Sequence, residues 1–420
     1  MWNPFKTKSV DVPAGRKSRA FILGMNNING MGSSYAQLAT EGYAQNAVVF
    51  ACISKIANAI SSVDLDAYKE TNGNLEKMPN HELEQLIENP NPRQSGRSFR
   101  KEFVTQYLIG GNCFLFGTGL DGTKKQKPKE LYILSPDKME VIRGDQLPAA
   151  YRYKPSADKV TDYPVDRITG KSAVLHIKTP NPLDTLIGLP PLAAAAYGVD
   201  IFNSGMRWNK KLLDNDCRPS GALTVEDSDG KPRALSDEQY KALKEELASH
   251  YSGANNAGRP LLLEGGLKWQ EMGISPKDMD FQENILMASR FIASVFNVPP
   301  QLVNIKGEST YSNYEQAQLS FWADTVLPLL GSMLEDINRW LSPMYDGVYL
   351  WYDEEAIPAL EPIRKIKSDR VSAAPFYSTN EKRDIMGVEA VEGGDEILID
   401  SGKIPLSLMD ASITAGSAGE

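Results

Sequence analysis

The sequence predicts an α+β fold that is built around two long helices. Apolar residues recur at the spacing of an amphipathic helix in several separate segments, which indicates a large helical content. Short β-rich runs, separated by turn residues, fill much of the stretch from residue 112 to residue 178. Two long helical patterns of similar length flank a short mixed segment. We therefore expect an antiparallel helix pair with a small module at its tip.

The composition is typical of a soluble globular protein. The 420 residues are 41% hydrophobic and 24% charged. Apolar runs such as Phe291–Phe296 fall far short of the roughly 18 residues that a membrane span needs. Met1–Val12 contains two lysines but no apolar run behind them, so we expect no signal peptide. These features predict a cytoplasmic product with no membrane partner.

Cysteine usage and charge limit the classes of function. Cys52, Cys113 and Cys217 are odd in number and widely spaced, which predicts reduced thiols and neither a disulfide framework nor a zinc site. The net charge is −9, and residues 351–420 hold 14 acidic and 7 basic side chains, or −7 of that total. An acidic surface repels phosphates and argues against a sequence-specific DNA reader. It is compatible with a protein past which DNA slides, and equally with a merely solvated acidic end.

The first half of the chain predicts a mixed domain. Residues 1–45 are rich in Gly, Asn, Ser and Ala, so we expect a flexible segment, with regular structure starting at Asn46. An amphipathic helix follows and ends before Asp64. Gly110-Gly111 terminates a second helix, Ser98–Ile109. The predicted strands are Leu65–Lys69, Cys113–Phe116, Glu130–Leu134, Met139–Arg143, Tyr151–Tyr153 and Ala173–Lys178.

Two long helices flank an insert. Pro190-Pro191 opens the first, because the first helical N–H groups lack intrahelical partners and proline is tolerated there. This helix runs to about Asp214, roughly 36 Å at 1.5 Å per residue. The second follows Ser275-Pro276 and ends at Asn297, before Pro299-Pro300. The elements predicted between them are a strand Gly221–Val225, a helix with a capping box of Ser236 and Gln239, and strands Pro260–Leu263 and Leu267–Gln270.

The remaining chain is mostly helical. Asn304–Thr310 is polar and predicts a loop. Ser312 and Glu315 form a capping-box pattern that opens a helix of about 30 residues, reaching Leu341, with a kink expected at Pro328. Shorter helices follow, one capped by Ser378 with Glu381 and closed by Gly387.

Catalytic constellations are scarce. The histidines (His81, His176 and His250) are far apart in the sequence. Gly170-Lys171-Ser172 ends like a phosphate-binding loop, but Val165 stands where that motif needs glycine. Asp353-Glu354-Glu355 could hold a cation, although an acidic run is more often just solvated. The sequence therefore predicts no enzyme: no catalytic residue, no cofactor and no metal site.

Three sequence segments in the second half of the chain, taken in their order, resemble those of a known family. Arg290–Pro300 reads R-F-I-A-S-V-F-N-V-P-P, Thr310–Gln316 reads T-Y-S-N-Y-E-Q, and Thr325–Pro328 reads T-V-L-P. In this order and near this spacing they are similar to the HK97-type phage portal proteins, in which Asn297 is usually Gly. Asn tolerates the left-handed conformation that ends a helix. Further matching segments are Asn46–Ile53, Gly111–Phe114, His176–Lys178, Gly188–Leu192, Gly258–Pro260, Leu263–Trp269, Thr379–Arg383 and Gly393–Asp395.

The resemblance implies the portal fold: a mixed α/β wing, a two-helix stem, a small α/β clip and a helical crown. Its implied divisions of this chain are a flexible segment 1–45, the wing 46–190, stem helix 191–217, clip 218–275, stem helix 276–298, tunnel loop 299–314, a long kinked wing helix 315–344, and the crown with a flexible end 345–420.

The resemblance also implies a function. Family members form a ring, usually of twelve copies, that is the channel at one capsid vertex for packaging and ejecting double-stranded DNA. The implied partners are further copies of the chain, non-specifically held double-stranded DNA, the major capsid protein, and terminase followed by head-tail adaptors. The implied location is the portal vertex of the virion, and the host cytoplasm during assembly.

The resemblance places the DNA-facing residues in the tunnel loop, at Asn304, Ile305, Lys306, Gly307, Glu308, Ser309 and Thr310. Arg207, Lys210 and Lys211, near the end of the first stem helix, could line the channel, pair with neighbouring subunits, or favour the helix C-terminus electrostatically. Lys306 could equally be a plain exposed loop residue. Phe321, Trp322 and Trp340 could lie at subunit interfaces or pack within the chain.

Two other classes of function stay open on the sequence alone. One is a structural or adaptor protein of a virion that is not a portal. The other is an unrecognised hydrolase, which would need clustered catalytic residues.

Overall fold

The structure is a computed structural model that describes residues 34–71, 74–120, 126–145, 147–214, 221–225, 236–250, 267–271, 281–306 and 311–397. The chain divides into two compact units, the first ending at Tyr352 and the second beginning at Asp353. The fold is α+β, as the sequence predicts. The α-helices are α1 (Tyr35–Gln37), α2 (Ala47–Ser62), α3 (Glu82–Glu88), α4 (Gly96–Gly110), α5 (Pro191–Ala194), α6 (Ala196–Asp214), α7 (Asp237–His250), α8 (Phe281–Val295), α9 (Tyr311–Phe321), α10 (Leu327–Leu341), α11 (Glu361–Ala373) and α12 (Thr379–Ile385).

The strands form small antiparallel sheets. In the described residues the sheet orders are β11-β1-β2, β4-β3-β8, β5-β6-β7 and β10-β9. The sequence missed β2, β7 and β11, which are short or largely exposed and so carry weak alternation. The strands are β1 (Asp66–Thr71), β2 (Asn74–Lys77), β3 (Asn112–Gly117), β4 (Leu131–Leu134), β5 (Met139–Arg143), β6 (Pro148–Ser156), β7 (Lys159–Pro164), β8 (Val174–Lys178), β9 (Gly221–Val225), β10 (Leu267–Glu271) and β11 (Tyr349–Trp351).

Helix α2 is at the centre of the first unit's core. Asn46 caps its start, since the Asn46 side-chain oxygen accepts hydrogen bonds from the backbone N–H groups of Val48 and Val49 at 3.1 and 3.0 Å. The helical repeat of apolar residues lies on the buried face, where Cys52 and Ile53 are fully enclosed. Burying one such large aliphatic side chain contributes about 1.5–3 kcal/mol, so this face is a main source of stability.

Residues 34–45 differ from the sequence-based prediction. They are helical: α1 is capped by the Ser34 side chain and continues as a π-helical turn over Leu38–Ala44. Leu38 is 2% exposed, and the Asn203 side-chain amide donates a hydrogen bond of 3.0 Å to the carbonyl of Glu41. The prediction that regular structure starts at Asn46 is therefore wrong. This segment is ordered by contacts with distant residues, which leave no periodic pattern in its own sequence. Residues 1–33 lie outside the described part.

The two long helices are confirmed, with refined ends. The first is interrupted at Ala195, which separates α5 from α6, and reaches Asp214. The second is described as α8, Phe281–Val295, and the start expected at residue 276 lies outside the described residues. Between them β9 pairs with β10 in antiparallel register, and Ser236 and Gln239 form the predicted reciprocal cap of α7. Predicted strand Pro260–Leu263 lies outside the described residues.

The long helix after the loop is interrupted, as Pro328 predicts. A π-helical turn, Trp322–Val326, separates α9 from α10, and Pro328 lies in the first turn of α10. Helix α9 begins at Tyr311, so Ser312 lies within it and is not its cap, which corrects the predicted start. A capping pattern locates a helix end only to within one or two residues.

Two of the three aromatic residues of this helix are clearly internal. Phe321 and Trp340 are 1% and 5% exposed, and the Trp340 indole N–H donates a 3.1 Å hydrogen bond to the carbonyl of Ser172. Packing within the chain therefore explains Phe321 and Trp340, and Trp322 is half-buried.

The second compact unit begins at Asp353. Strand β11 pairs antiparallel with β1 and belongs to the first unit, and the division of the crown at residue 345 stays a prediction. The second unit holds α11 and α12. The predicted capping box of Ser378 with Glu381 is confirmed, and Gly387 has the left-handed backbone (φ 70°) expected after a helix end. Residues 398–420 lie outside the described part.

Candidate functional site

Helices α6 and α8 pack against each other through two glycines of α6. A Cβ atom at Gly198 would lie 2.8 Å from Cδ1 of Phe291, and one at Gly205 would lie 3.0 Å from Cγ1 of Ile285. Because the contacts on α8 move backwards along the sequence as those on α6 move forwards, the two helices are antiparallel. The absence of side chains at both positions lets the helices approach closely. This confirms the antiparallel helix pair predicted from the sequence.

The three basic candidates lie together at the C-terminal end of α6. Arg207, Lys210 and Lys211 are all exposed. The guanidinium of Arg207 donates a hydrogen bond of 3.4 Å to the hydroxyl of Ser204. Among the described residues, neither Arg207 nor Lys211 forms an ion pair. Both side chains are therefore exposed charges within the described part of the chain.

The segment that leads to the predicted DNA-facing loop begins at Asn297, which hydrogen bonds hold in place. Asn297 has left-handed backbone (φ 51°), and the N–H groups of Val298 and Asn297 bond to the carbonyls of Ala293 and Ser294 at 2.9 and 3.0 Å. This is the Schellman arrangement that ends a helix. The side chain of Asn297 also reaches the interrupted helix. It donates hydrogen bonds to the carbonyl of Asp324 at 3.1 Å and to the Thr325 hydroxyl at 2.9 Å, and that hydroxyl donates back to the Asn297 carbonyl at 2.6 Å.

The loop candidates themselves divide into inward and outward residues. After the 3-10 turn Pro300–Val303, Asn304 has left-handed backbone (φ 57°) and an exposed side chain. Ile305 is 8% exposed, and its N–H donates to the Pro300 carbonyl at 3.1 Å. Its side chain is an anchor within the protein, so Ile305 is removed from the DNA-facing candidates. Lys306 is exposed, and Gly307, Glu308, Ser309 and Thr310 lie outside the described residues.

The two groups of candidates lie at opposite ends of the α6–α8 pair. Lys306 follows the C-terminal end of α8, whereas Arg207, Lys210 and Lys211 are at the C-terminal end of its antiparallel partner. Along the axis of the helix pair, the position of Val295 on α8 and the position of Lys210 on α6 differ by about 15 helical residues. This corresponds to roughly 20 Å. The structure thus does not bring these residues into one compact site. They are two separate basic positions along one rod.

Sequence reasoning missed a buried polar cluster around Asn112. The Asn112 side-chain oxygen accepts a hydrogen bond of 2.8 Å from the Gly188 N–H and lies 2.9 Å from Nε2 of His176, while its amide donates to the carbonyl of Gly110 at 2.8 Å. A Cβ at Gly188 would lie only 2.0 Å from the carbonyl oxygen of Gly111. Three of the family-like motifs therefore meet here. Their shared role is to fix the chain where it enters the first long helix.

His176 is held as a neutral ring in this cluster. Its ring stacks on Phe114 with centroids 4.3 Å apart, and the edge of Tyr151 approaches it. Burial, and to a smaller extent the positive charge of Lys178, lower the pKa of His176 to about 3. Because the Asn112 oxygen can only accept, Nε2 of His176 carries the proton and donates it. His176 is thus a structural group with no free acid–base role near neutral pH.

We next consider metal-binding groups and cysteine thiols among the described residues. They contain no group of three or more His, Cys, Asp or Glu side chains placed to hold a metal ion. Cys52 and Cys113 are free and buried, and burial raises the pKa of Cys52 to about 12 and that of Cys113 well above its usual value. Both thiols therefore stay protonated and unreactive. In the described part of the chain no helix has the length and apolar character needed to cross a membrane.

Comparison with solved structures gives the class of protein. A chain in the neck of an empty gene transfer agent particle with C6 symmetry is 35% identical, with TM-score 0.67, covering 90% of this chain and 96% of that chain. A chain in the neck of the native particle with C12 symmetry is 36% identical, with TM-score 0.64, covering 85% and 94%. An HK97 family phage portal protein from Corynebacterium diphtheriae is 13% identical, with TM-score 0.52, covering 77% and 98%, and shares the fold. These likenesses show that the chain has an α+β fold of the portal type.

Sequence comparison assigns the family. The sequence model of the family described as phage portal protein matches residues 47–387. The probable portal protein of Streptomyces phage phiC31 is 22% identical over 324 residues, which span 75% of this chain and 68% of that protein. The chain belongs to the phage portal protein family, whose members are structural rather than enzymatic.

Proposed function

We propose that this chain is the subunit of a ring-shaped channel at one vertex of a DNA-containing particle, either a tailed phage or a gene transfer agent. Double-stranded DNA enters through the ring during packaging and leaves through it during ejection. In this proposal terminase docks on the ring first and head-tail adaptors replace it, while the major capsid protein surrounds it. The particle is the final location, and the host cytoplasm is the site of assembly.

The observation that carries the proposal is the likeness to neck proteins in assemblies of C6 and C12 symmetry. At 35% and 36% identity, with most of both chains covered, the likeness includes sequence as well as fold. A ring of twelve copies agrees with both symmetries, since a twelvefold ring also contains a sixfold axis. We therefore assign twelve subunits to the proposed ring.

The divisions of the chain acquire proposed roles in this ring. The α6–α8 pair is the stem, residues 218–275 are the clip that contacts terminase or adaptor, and residues 299–314 are the tunnel loop. The sheets and helices of residues 46–190, with the interrupted helix α9–α10, form the wing. The unit that begins at Asp353 is the crown.

The electrostatics support a loose grip on DNA. A channel must hold DNA centred yet release it at each step, and every Lys or Arg contact to a phosphate displaces counterions and adds affinity. The net charge of −9 provides a repulsive background. Sparse exposed cations, Lys306 at one end of the stem and Arg207, Lys210 and Lys211 at the other, then give weak and non-specific contact.

The experiment that tests the ring is native mass measurement with negative-stain imaging of the purified protein. The expected result is discrete rings of twelve subunits of 46.3 kDa each. Particles that stay monomeric at micromolar concentration and in the presence of the capsid protein would contradict the proposal. That outcome would favour the other structural role that the sequence left open, an adaptor that is not a portal.

A further inference from the structure

A partly enclosed cavity lies in the core of the first unit. Its volume is about 30 Å³, and thirteen residues line it. A water molecule needs about 10–15 Å³, and protein interiors contain few voids larger than that. The cavity therefore has room for a narrow group that is longer than one water molecule.

The wall of this cavity is almost entirely apolar. Twelve of the thirteen lining residues are hydrophobic. Helix α10 supplies four of them at helical spacing, from Leu330 to Ile337, and α4 supplies Phe99, Phe103 and Val104. Others come from α2, α3, β3 and β11. A polar group deep inside would find no hydrogen-bond partner there, so the cavity suits an apolar occupant.

Arg100 and Ile337 mark the mouth of the cavity. Eleven of the lining residues are buried, whereas these two are half-buried. Arg100 is also the charged residue among the thirteen. An occupant that enters from this side therefore carries its polar end beside the Arg100 guanidinium.

The guanidinium of Arg100 has unused hydrogen-bonding capacity. Its Nη2 donates a hydrogen bond of 3.1 Å to the carbonyl of Ser61, whereas its buried Nε–H has no acceptor among the described residues. The carboxylate of Asp64 is paired with Arg97 instead, at 3.3 Å. Burial lowers the pKa of Arg100 by more than the charges of Asp64 and Glu88 raise it. A carboxylate oxygen at the mouth would supply both the missing acceptor and a counter-charge.

We infer that this cavity is a binding site for a straight-chain alkyl carboxylate. The alkyl chain lies in the apolar cavity, and the carboxylate accepts hydrogen bonds from the guanidinium of Arg100. The small volume favours a straight chain over a ring, and the guanidinium favours an anion over a cation. Because the lining joins α4 to α10 and β11, an occupant holds these elements together and stabilises the folded chain. The inference is independent of the proposed ring.

Isothermal titration calorimetry of the full-length protein with hexanoate tests the site, with acetate and hexanol as companion probes. The expected result is one hexanoate bound per subunit, no detectable binding of acetate, which lacks the long chain, and weaker binding of hexanol, which lacks the charge. Saturating hexanoate should also raise the unfolding midpoint by about 2 °C or more. Absence of hexanoate binding to the wild-type protein would overturn the inference.

Substitutions separate the contribution of the apolar cavity from that of the guanidinium. Arg100→Met retains a long side chain with good helix propensity but removes the charge and the donors. It should weaken hexanoate binding by about tenfold or more and leave hexanol binding unchanged, which also shows that the cavity is retained. Ile337→Phe narrows the mouth and should weaken the binding of both probes.

The matched control is Lys101→Met, because Lys101 is the next residue of α4, is exposed and loses the same charge. This variant should bind hexanoate like the wild type. Hexanoate affinity that is unchanged in Arg100→Met, or that falls equally in Lys101→Met, would overturn the assignment of the carboxylate to Arg100. The comparison of these two variants decides the inference even where Ile337→Phe fails to fold.

Discussion

The side-chain amide of Asn297 donates a 3.1 Å hydrogen bond to the carbonyl of Asp324, the residue four positions before Pro328. A proline has no N–H with which to satisfy that carbonyl, so an α-helix through this point would leave it without a partner. Asn297 supplies the missing donor from the end of α8. The same residue thus ends one helix and completes the interruption of another, and it fixes the start of the loop that carries Lys306.

We predict that Asn297→Gly and Asn297→Ala will destabilise the protein to different extents. Glycine retains the left-handed backbone and loses only the side-chain hydrogen bonds, which corresponds to about 1 kcal/mol. Alanine also strains the backbone at φ 51°, which adds about 1 kcal/mol. Thermal or urea unfolding should therefore rank the wild type first, Asn297→Gly second and Asn297→Ala last. Asn304→Gly is the control, because Asn304 also has left-handed backbone but its side chain makes no hydrogen bond within the described residues. Equal losses of stability in the two Gly variants would contradict the role of the Asn297 amide.

We predict that Gly188→Ala will be among the most disruptive small substitutions in the chain. The new Cβ would lie 2.0 Å from the Gly111 carbonyl oxygen, which is backbone and cannot simply rotate away. The shift would also break the Gly188–Asn112 hydrogen bond, so we expect a loss of about 3 kcal/mol or more. In the control Gly331→Ala the nearest atom is at an ordinary 3.8 Å within α10, and helix propensity favours alanine by about 0.5–1 kcal/mol. Unfolding midpoints of both variants test this, and a mild effect at Gly188 would show that the cluster is adaptable.

We predict that His176 makes the protein less stable in acid. The pKa of His176 is about 3 in the folded chain and about 6.5 when unfolded, so between these values the unfolded chain binds a proton that the folded chain does not. Stability from this group is therefore complete above about pH 6.5 and falls as the pH decreases toward 3. His176→Gln removes the titration and should show a smaller drop in unfolding midpoint between pH 7.5 and 5, although it is less stable at pH 7.5. An equal drop in both proteins would show that carboxylates elsewhere account for the acid sensitivity.

We predict that the cations at the end of α6 contribute to non-specific DNA binding by the ring. Replacing Arg207, Lys210 and Lys211 with Gln should weaken binding of duplex DNA and make the dependence of log affinity on log salt shallower, because fewer counterions are released. The control replaces the exposed Lys101, Lys129 and Lys159 with Gln, which changes the net charge equally at positions outside α6. Titrations at several salt concentrations compare the two. Equal salt slopes in the two variants would assign the α6 cations to subunit pairing instead.

We predict that the loop contributes to DNA passage. Lys306→Ala combined with Glu308→Ala should leave ring assembly intact, because Ile305 and the hydrogen bonds of Asn297 anchor the loop independently. Packaging efficiency in the particle that encodes the protein should fall. Rings that package at the wild-type level would show that Lys306 is a plain exposed residue.

Much of the fold could be predicted from the helical periodicity of apolar residues and from helix-capping residues. The helical spacing in α2, α6 and α8 and the capping boxes at Ser236 and Ser378 are local signals, and local signals are readable from one sequence. The candidate site was harder to predict from the sequence. Ile305 is apolar within a polar loop, and that alone could have marked it as an anchor. Asn112 and Asn203 act on residues 76 and 162 positions away in the chain, and no sequence window spans such distances.

The contact between Asn203 and Glu41 has a practical consequence for anyone who shortens this protein. The family-like pattern starts near Asn46, which makes that residue an inviting place to begin a trimmed version. Trimming there would remove Leu38 from its pocket and leave a buried amide of Asn203 without its acceptor. The first of the two long helices would then lose a tie to the rest of the molecule. A shortened chain that begins before Ser34 keeps this tie.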